Sequence, residues 1–202
     1  MTKAKICGLK SIEDIAVVNG ARPDYAGFTF TGQKGQITPR EAGRLRKLLH
    51  PDIVSVGVFA DAPLVQIEAL VRAEIIQVIQ LHGREDEAYI RTLKEKTGRP
   101  IIKAVTVRCL GDAQKWQSAP VDYLLLDSVA DSTGKRFDWD LIGPLEKPYF
   151  LAGGLNAGNV TEAIARLTPF AVDTSSGVET GGTKDPEKIR AFIRRTRHEY
   201  KH

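Results

Sequence analysis

Residues 151–179 read LAGGLNAGNVTEAIARLTPFAVDTSSGVE, and this stretch decides how the whole chain is to be read. Its first residues complete an apolar run, PYFLAGG (148–154), that ends in two glycines. NAGNVTEAIARL (156–167) then carries apolar residues at helical spacing, and FAVDTSS (170–176) returns to a short apolar run. Strand, helix and strand thus follow one another with turns of a few residues. Both strands are apolar throughout instead of alternating, as expected where a parallel sheet is covered on both faces.

The same alternation extends outward. AKIC (4–7), YAGFTF (25–30), IVSVGVF (53–59), VIQL (78–81), IIKAVTV (101–107) and YLLLD (123–127) read as the other six strands. A helix is predicted over 11–21, with Ser11 as its cap and Asp14 in its first turn, and another over 38–49, with Thr38 as cap and Pro39 at its first position. Further helices are predicted over 63–73 and 84–98, with short pieces near 112–117 and 138–142 and a closing helix over 185–200. Eight strand–helix units predict an α/β fold, a single-domain (β/α)8 TIM barrel spanning 1–202. On periodicity alone a doubly wound open sheet is the alternative.

Composition narrows the class. A chain of 202 residues suits one domain, and 42% hydrophobic with 27% charged residues is ordinary for a soluble globular protein. No apolar run approaches the length that spans a bilayer, and the polar start MTKAK is no secretion signal, so a cytoplasmic setting is expected. Two cysteines, Cys7 and Cys109, make no disulfide scaffold. The formal charge of +4 is concentrated partly in the last segment, KIRAFIRRTRHEYKH (188–202), which reads as a solvated helix face without a binding motif. Neither nucleic acid nor membrane is expected as a partner, and a mild positive balance suits an anionic small molecule. Zinc-type spacing, a Walker loop and the dinucleotide glycine pattern are missing, so no metal and no cofactor is expected.

In such a barrel the chemistry gathers at the carboxyl ends of the strands. The first strand ends in Cys7-Gly8, the fourth in His82-Gly83, the sixth in Asp127-Ser128, the seventh in Gly153-Gly154-Leu155-Asn156 and the eighth in Asp173-Thr174-Ser175-Ser176-Gly177. The last two ends suit a phosphate, because small residues let backbone amides approach an anion. Gly153, Gly154, Asn156, Ser175, Ser176 and Gly177 are therefore the phosphate-binding candidates. Cys7 by itself reads as either a small core residue or a reactive one. If its side chain faces the mouth, strand alternation turns Lys5 inward one layer deeper and Ile6 toward the helices. A buried ammonium needs a carboxylate, for which Asp173 and Asp127 are the candidates, and Lys103 poses the same problem. A thiol at Cys7 and a carboxyl at Asp127 across one mouth make a base and an acid. The base must work as thiolate, which nearby lysines favour, and partial burial favours a protonated Asp127.

KICGL, VGVF, QLHG, LLLDS, FDW, LAGGLN, FAVDTSSGVE and GTKD occur in the order seen in the phosphoribosylanthranilate isomerase family, which the chain resembles along essentially its whole length. The resemblance implies a (β/α)8 barrel of tryptophan biosynthesis that needs no cofactor and acts on a small phosphosugar. It implies an Amadori rearrangement of N-(5-phosphoribosyl)anthranilate to 1-(o-carboxyphenylamino)-1-deoxyribulose 5-phosphate, with Cys7 as general base and Asp127 as general acid. Gln80 and His82 of QLHG, with Asp173, are the expected substrate contacts beside them. The alternatives are a related barrel acting on a different aminated sugar phosphate and a catalytically silent barrel subunit. A monomer or a homodimer is expected. One place departs from the family's pattern. Where a Ser-x-Arg segment usually supplies a guanidinium for the anthranilate carboxylate, this chain reads TGQKGQITP (31–39), with Gly35 at the arginine position. Lys34 beside it is the expected substitute, a point charge in place of a planar fork.

Overall fold

The structure, a computed structural model, describes residues 1–31, 36–128 and 138–197. Eight parallel strands close into a barrel in chain order: β1 (Lys3–Ile6), β2 (Tyr25–Thr29), β3 (Val54–Phe59), β4 (Val78–Leu81), β5 (Ile101–Val107), β6 (Tyr123–Ser128), β7 (Tyr149–Leu151) and β8 (Ala171–Thr174). Closure is made by β1 on β8, with Lys5 opposite Asp173 and Ile6 opposite Thr174. That pairing excludes the open doubly wound sheet.

Among the described residues six α-helices surround the barrel: α1 (Ile12–Ala21), α2 (Pro39–Leu48), α3 (Leu64–Arg72), α4 (Glu87–Thr97), α5 (Val160–Leu167) and α6 (Pro186–Arg197). The expected caps form. The Ser11 hydroxyl accepts from the Asp14 amide while the Asp14 carboxylate accepts from that of Ser11, and Thr38 and Glu41 repeat this reciprocal box with Pro39 in the first turn. The poorly patterned stretches become short 3-10 turns, Gln114–Trp116 and Trp139–Leu141. Two elements differ from the prediction. Helix α5 starts at Val160 and not at Asn156, because Asn156 Oδ1 accepts from the Gly158 amide and Asn159 Oδ1 from the Asn156 amide, a local turn that competes with helix. After β8 the chain makes a 3-10 turn, Ser176–Val178, and a small antiparallel hairpin, β9 (Glu179–Thr180) with β10 (Thr183–Lys184), before α6.

The side-chain alternation along the strands sorts residues into two layers. Ile6, Phe28, Leu124 and Leu126 pack outward with the helices, whereas Tyr25, Ile102, Leu125, Phe150 and Ala171 fill the barrel interior. Edge-on contacts of Tyr25 and Tyr123 with Phe150 plug the amino-terminal end, where Lys3 lies over the Phe170 ring. Away from these aromatics, a cavity opens at the carboxyl ends of the strands, where the chemistry-bearing residues stand.

Candidate active site

Lys5 is fully buried in the barrel and its Nζ donates to Asp173 Oδ2 at 2.9 Å, so alternation and charge pairing agree with the sequence expectation. Lys103 meets neither Asp173 nor Asp127. On β5 it is Ile102 and Ala104 that face the interior, so Lys103 turns toward the helices. There its Nζ donates to Glu85 Oε2 at 2.8 Å and to the Gly83 carbonyl at 2.7 Å, over the Trp116 ring. Glu85 also accepts from the amides of Asp61 and Gly83, tying the loops after β3 and β4 together. Sequence reasoning missed Glu85, although an acidic residue three positions beyond His82 was the available signal.

Strand β1 stops at Ile6, one residue before Cys7, because Gly8 at φ 79° turns the chain out of the sheet. The Cys7 amide nevertheless continues the ladder to the Thr174 carbonyl at 2.9 Å. Room for the sulfur comes from the neighbouring strand: a Cβ at Gly27 would lie 2.7 Å from Cys7 Sγ. Gly27 was not singled out from the sequence, since nothing local marks it.

Cys7, Gln80, His82, Asp127, Gly153, Gly154, Asp173, Ser175, Ser176 and Gly177 all line one cavity of about 310 Å3 at the mouth. His82 Nε2 is 3.7 Å from Asp127 Oδ2, both side chains being about one-third exposed. Gln80 Oε1 and Asp173 Oδ1 are buried without a hydrogen-bond partner. On the other side the loops after β7 and β8 touch. Thr174 Oγ1 donates to the Leu155 carbonyl at 2.6 Å, and a Cβ at Gly177 would lie only 2.0 Å from that same oxygen. Gly153 and Gly154 both have positive φ, and a Cβ on Gly154 would meet nothing within 4 Å. Asn156 shapes this turn through its own side chain and amide and is not among the cavity-lining residues. Lys34 and Gly35 lie outside the described residues.

The charges around Cys7 oppose one another. Burial pushes the thiol up, Lys5 pulls it down, Asp173 pushes it up and Lys184 pulls it down, with a net rise above the ordinary thiol value. Lys5 is lowered by burial, but Asp173 and then Cys7 outweigh that and leave it raised. The lysines expected to favour thiolate are present, and burial outweighs them.

Fold and cavity together define a (β/α)8-barrel enzyme with its titratable groups gathered at the mouth. The chain belongs to the N-(5′-phosphoribosyl)anthranilate isomerase family, whose model, described as N-(5'phosphoribosyl)anthranilate (PRA) isomerase, matches residues 4–195. It is 47% identical over 193 residues to the N-(5'-phosphoribosyl)anthranilate isomerase of Endomicrobium trichonymphae, covering 94% of this chain and 95% of that one. The isomerase of Lachnoclostridium phytofermentans is 41% identical, with 95% of each chain covered. Among solved structures, phosphoribosyl anthranilate isomerase in complex with reduced 1-(o-carboxyphenylamino)-1-deoxyribulose 5-phosphate superposes with a TM-score of 0.86 at 35% identity, covering 97% of this chain and 98% of the other. The enzyme from Thermotoga maritima superposes at 0.87, with the same identity and coverage.

Proposed function

We propose that Cys7 and Asp127 of this chain isomerise N-(5′-phosphoribosyl)anthranilate, Cys7 as general base and Asp127 as general acid. As a member of its family the chain is an aldose–ketose type isomerase of tryptophan biosynthesis. The observation that carries the residue roles is that the Cys7 thiol, just past the end of β1, and the Asp127 carboxyl of β6, strands on different sides of the barrel, line the same cavity. Asp127 protonates the furanose ring oxygen, and the ring opens to a protonated Schiff base. Cys7 then takes the C2 proton, giving an enolamine that tautomerises to the ketone. The cation created by ring opening draws the thiol toward thiolate, so the acid step prepares the base. His82 holds Asp127 at the mouth. Gln80 Oε1 and Asp173 Oδ1, acceptors without partners, take hydrogen bonds from sugar hydroxyls.

The phosphate sits against the small-residue loops, where Ser176 and Gly177 open a 3-10 turn whose first N–H groups have no partner within the turn. On the sequence, Lys34 is the proposed contact for the anthranilate carboxylate. The proposal includes a cytoplasmic setting and a monomer or homodimer; no helix among the described residues is long and apolar enough to cross a membrane. Among its structural neighbours are generated monomers of the dimeric Thermotoga maritima isomerase, which align over 98% of this chain.

Turnover of phosphoribosylanthranilate by the purified protein, measured against pH, tests the reading. The working form, thiolate with carboxylic acid, carries as many protons as thiol with carboxylate. Its share therefore stays constant between the two pKa values and falls above the higher one. Because Cys7 is raised above the ordinary 9.0, kcat/KM should stay level through neutrality and fall only above about pH 9. A fall that begins below about pH 8 contradicts this assignment.

The loop contact makes a second expectation. Gly177→Ala must push the Leu155 carbonyl away and part the two phosphate loops. Its KM should rise at least about ten-fold, with kcat changed less, as for loss of binding shared by ground and transition states. Steady-state kinetics decide, and an unchanged KM removes the phosphate from this place.

A further inference from the structure

Lys184 stands on the small hairpin outside the barrel, yet it is only 6% exposed. Its Nζ donates to the Ser175 carbonyl at 3.0 Å and to Ser175 Oγ at 3.3 Å, and pairs with Glu179 Oε1 at 2.8 Å. A Cβ on Gly8 would lie 3.0 Å from Ser175 Oγ and 3.8 Å from Lys184 Nζ, so the ammonium also sits against the turn that follows Cys7. Its partner carboxylate is on the same hairpin, and stability alone gives no reason to bring the pair in, since buried pairs are often replaceable by apolar residues without loss.

We infer that Lys184 is a positioning residue for both halves of the site: it fixes Ser175, so that the Ser176–Gly177 turn is held for the phosphate, and it sets its ammonium beside the turn that carries Cys7. The inference rests on the proposed roles of Cys7 and of that turn. A phosphate dianion at residues 175–177 opposes thiolate at Cys7 by like-charge repulsion, and a cation lodged against both offsets that opposition. The groups facing the thiol are Lys5 on β1, Asp173 on β8, Lys184 on β10 and, across the mouth, His82 and Asp127. Glu179 is the counter-ion of Lys184. Among the causes acting on the thiol, Lys184 counts in the thiolate direction.

The experiment measures alkylation of Cys7 by iodoacetamide against pH, with and without inorganic phosphate, in a Cys109→Ser background that removes the exposed thiol. Lys184→Met should raise the Cys7 midpoint by about half a pH unit or more and weaken phosphate protection at least about ten-fold, and Lys184→Arg should recover most of both. Glu179→Gln keeps the ammonium and removes its counter-ion, so it should move the midpoint downward. That opposite sign is one that loosened packing does not produce, and it keeps the test decisive if Lys184→Met does not fold. Midpoints within about 0.2 unit of the parent in Glu179→Gln and in whichever Lys184 variants fold overturn the inference. The readout needs no turnover. If Cys7→Ala stays active while these shifts occur, the base assignment has failed and the positioning role has not.

Discussion

Cys7→Ala lowers kcat by at least about 10²-fold and leaves the fold intact, and Asp127→Asn does the same. Each loss has its own cause. Alanine removes the only sulfur in the cavity wall among the described residues, and leaves empty the slot that Gly27 opens for it. Asparagine keeps the shape of Asp127 and a hydrogen-bond donor, but has no proton to give the ring oxygen. Positioned acid–base groups contribute about 10²–10⁴-fold each, so the two single variants fall in the same range. Since the second proton transfer requires the opened ring, the double variant should cost much less than the product of the two. Rates close to the parent in both single variants, with unchanged circular dichroism and melting, would sink the mechanism.

Asp173→Asn destabilises the barrel by about 3–5 kcal/mol, because it strands the Lys5 ammonium in the interior. Lys5 is fully buried, its salt bridge to Asp173 is 2.9 Å long, and the carboxylate's side chain is 9% exposed. Replacing both partners, as Lys5→Met with Asp173→Leu, should cost far less, since no uncompensated charge remains. The pH dependence has a definite sign. Lys5 is raised above its ordinary 10.5 in the folded state, so the pair's contribution is complete below that value and is lost as pH climbs through the raised one. Urea titrations at neutral pH and at pH 11 check both points. A loss of less than about 1 kcal/mol in Asp173→Asn would show that water or another group compensates Lys5.

The barrel was legible because its determinants are local and periodic. Apolar strand runs, the Ser11 and Thr38 caps and Pro39 each act within a few residues, and both caps form as read; that they close into reciprocal boxes is what the structure adds. The late start of α5 was not legible, because the Asn156 and Asn159 side chains compete with helix through bonds that helical spacing does not reveal. The β9–β10 hairpin escaped as well, its two strands being two residues each, too short to carry a period.

The candidate site divides in the same way. By itself the sequence determined that Cys7, His82, Asp127, Asp173 and the two glycine-rich turns stand at strand ends, and the alternation of side chains determined that Lys5 points inward. It also named Asp173 among the carboxylates able to meet Lys5. Which carboxylate meets which lysine was decided only by the closed barrel, since Lys5 and Asp173 are 168 residues apart and are brought together by the β1–β8 register. Lys103 looked like the same case and takes Glu85 instead, because its position on β5 faces the helices. Gly27 beneath the Cys7 sulfur and Lys184 against Ser175 are likewise tertiary facts. A strand's own residues specify which side chains share a face; what those side chains touch depends on the stagger and closure of neighbouring strands, which no local stretch encodes.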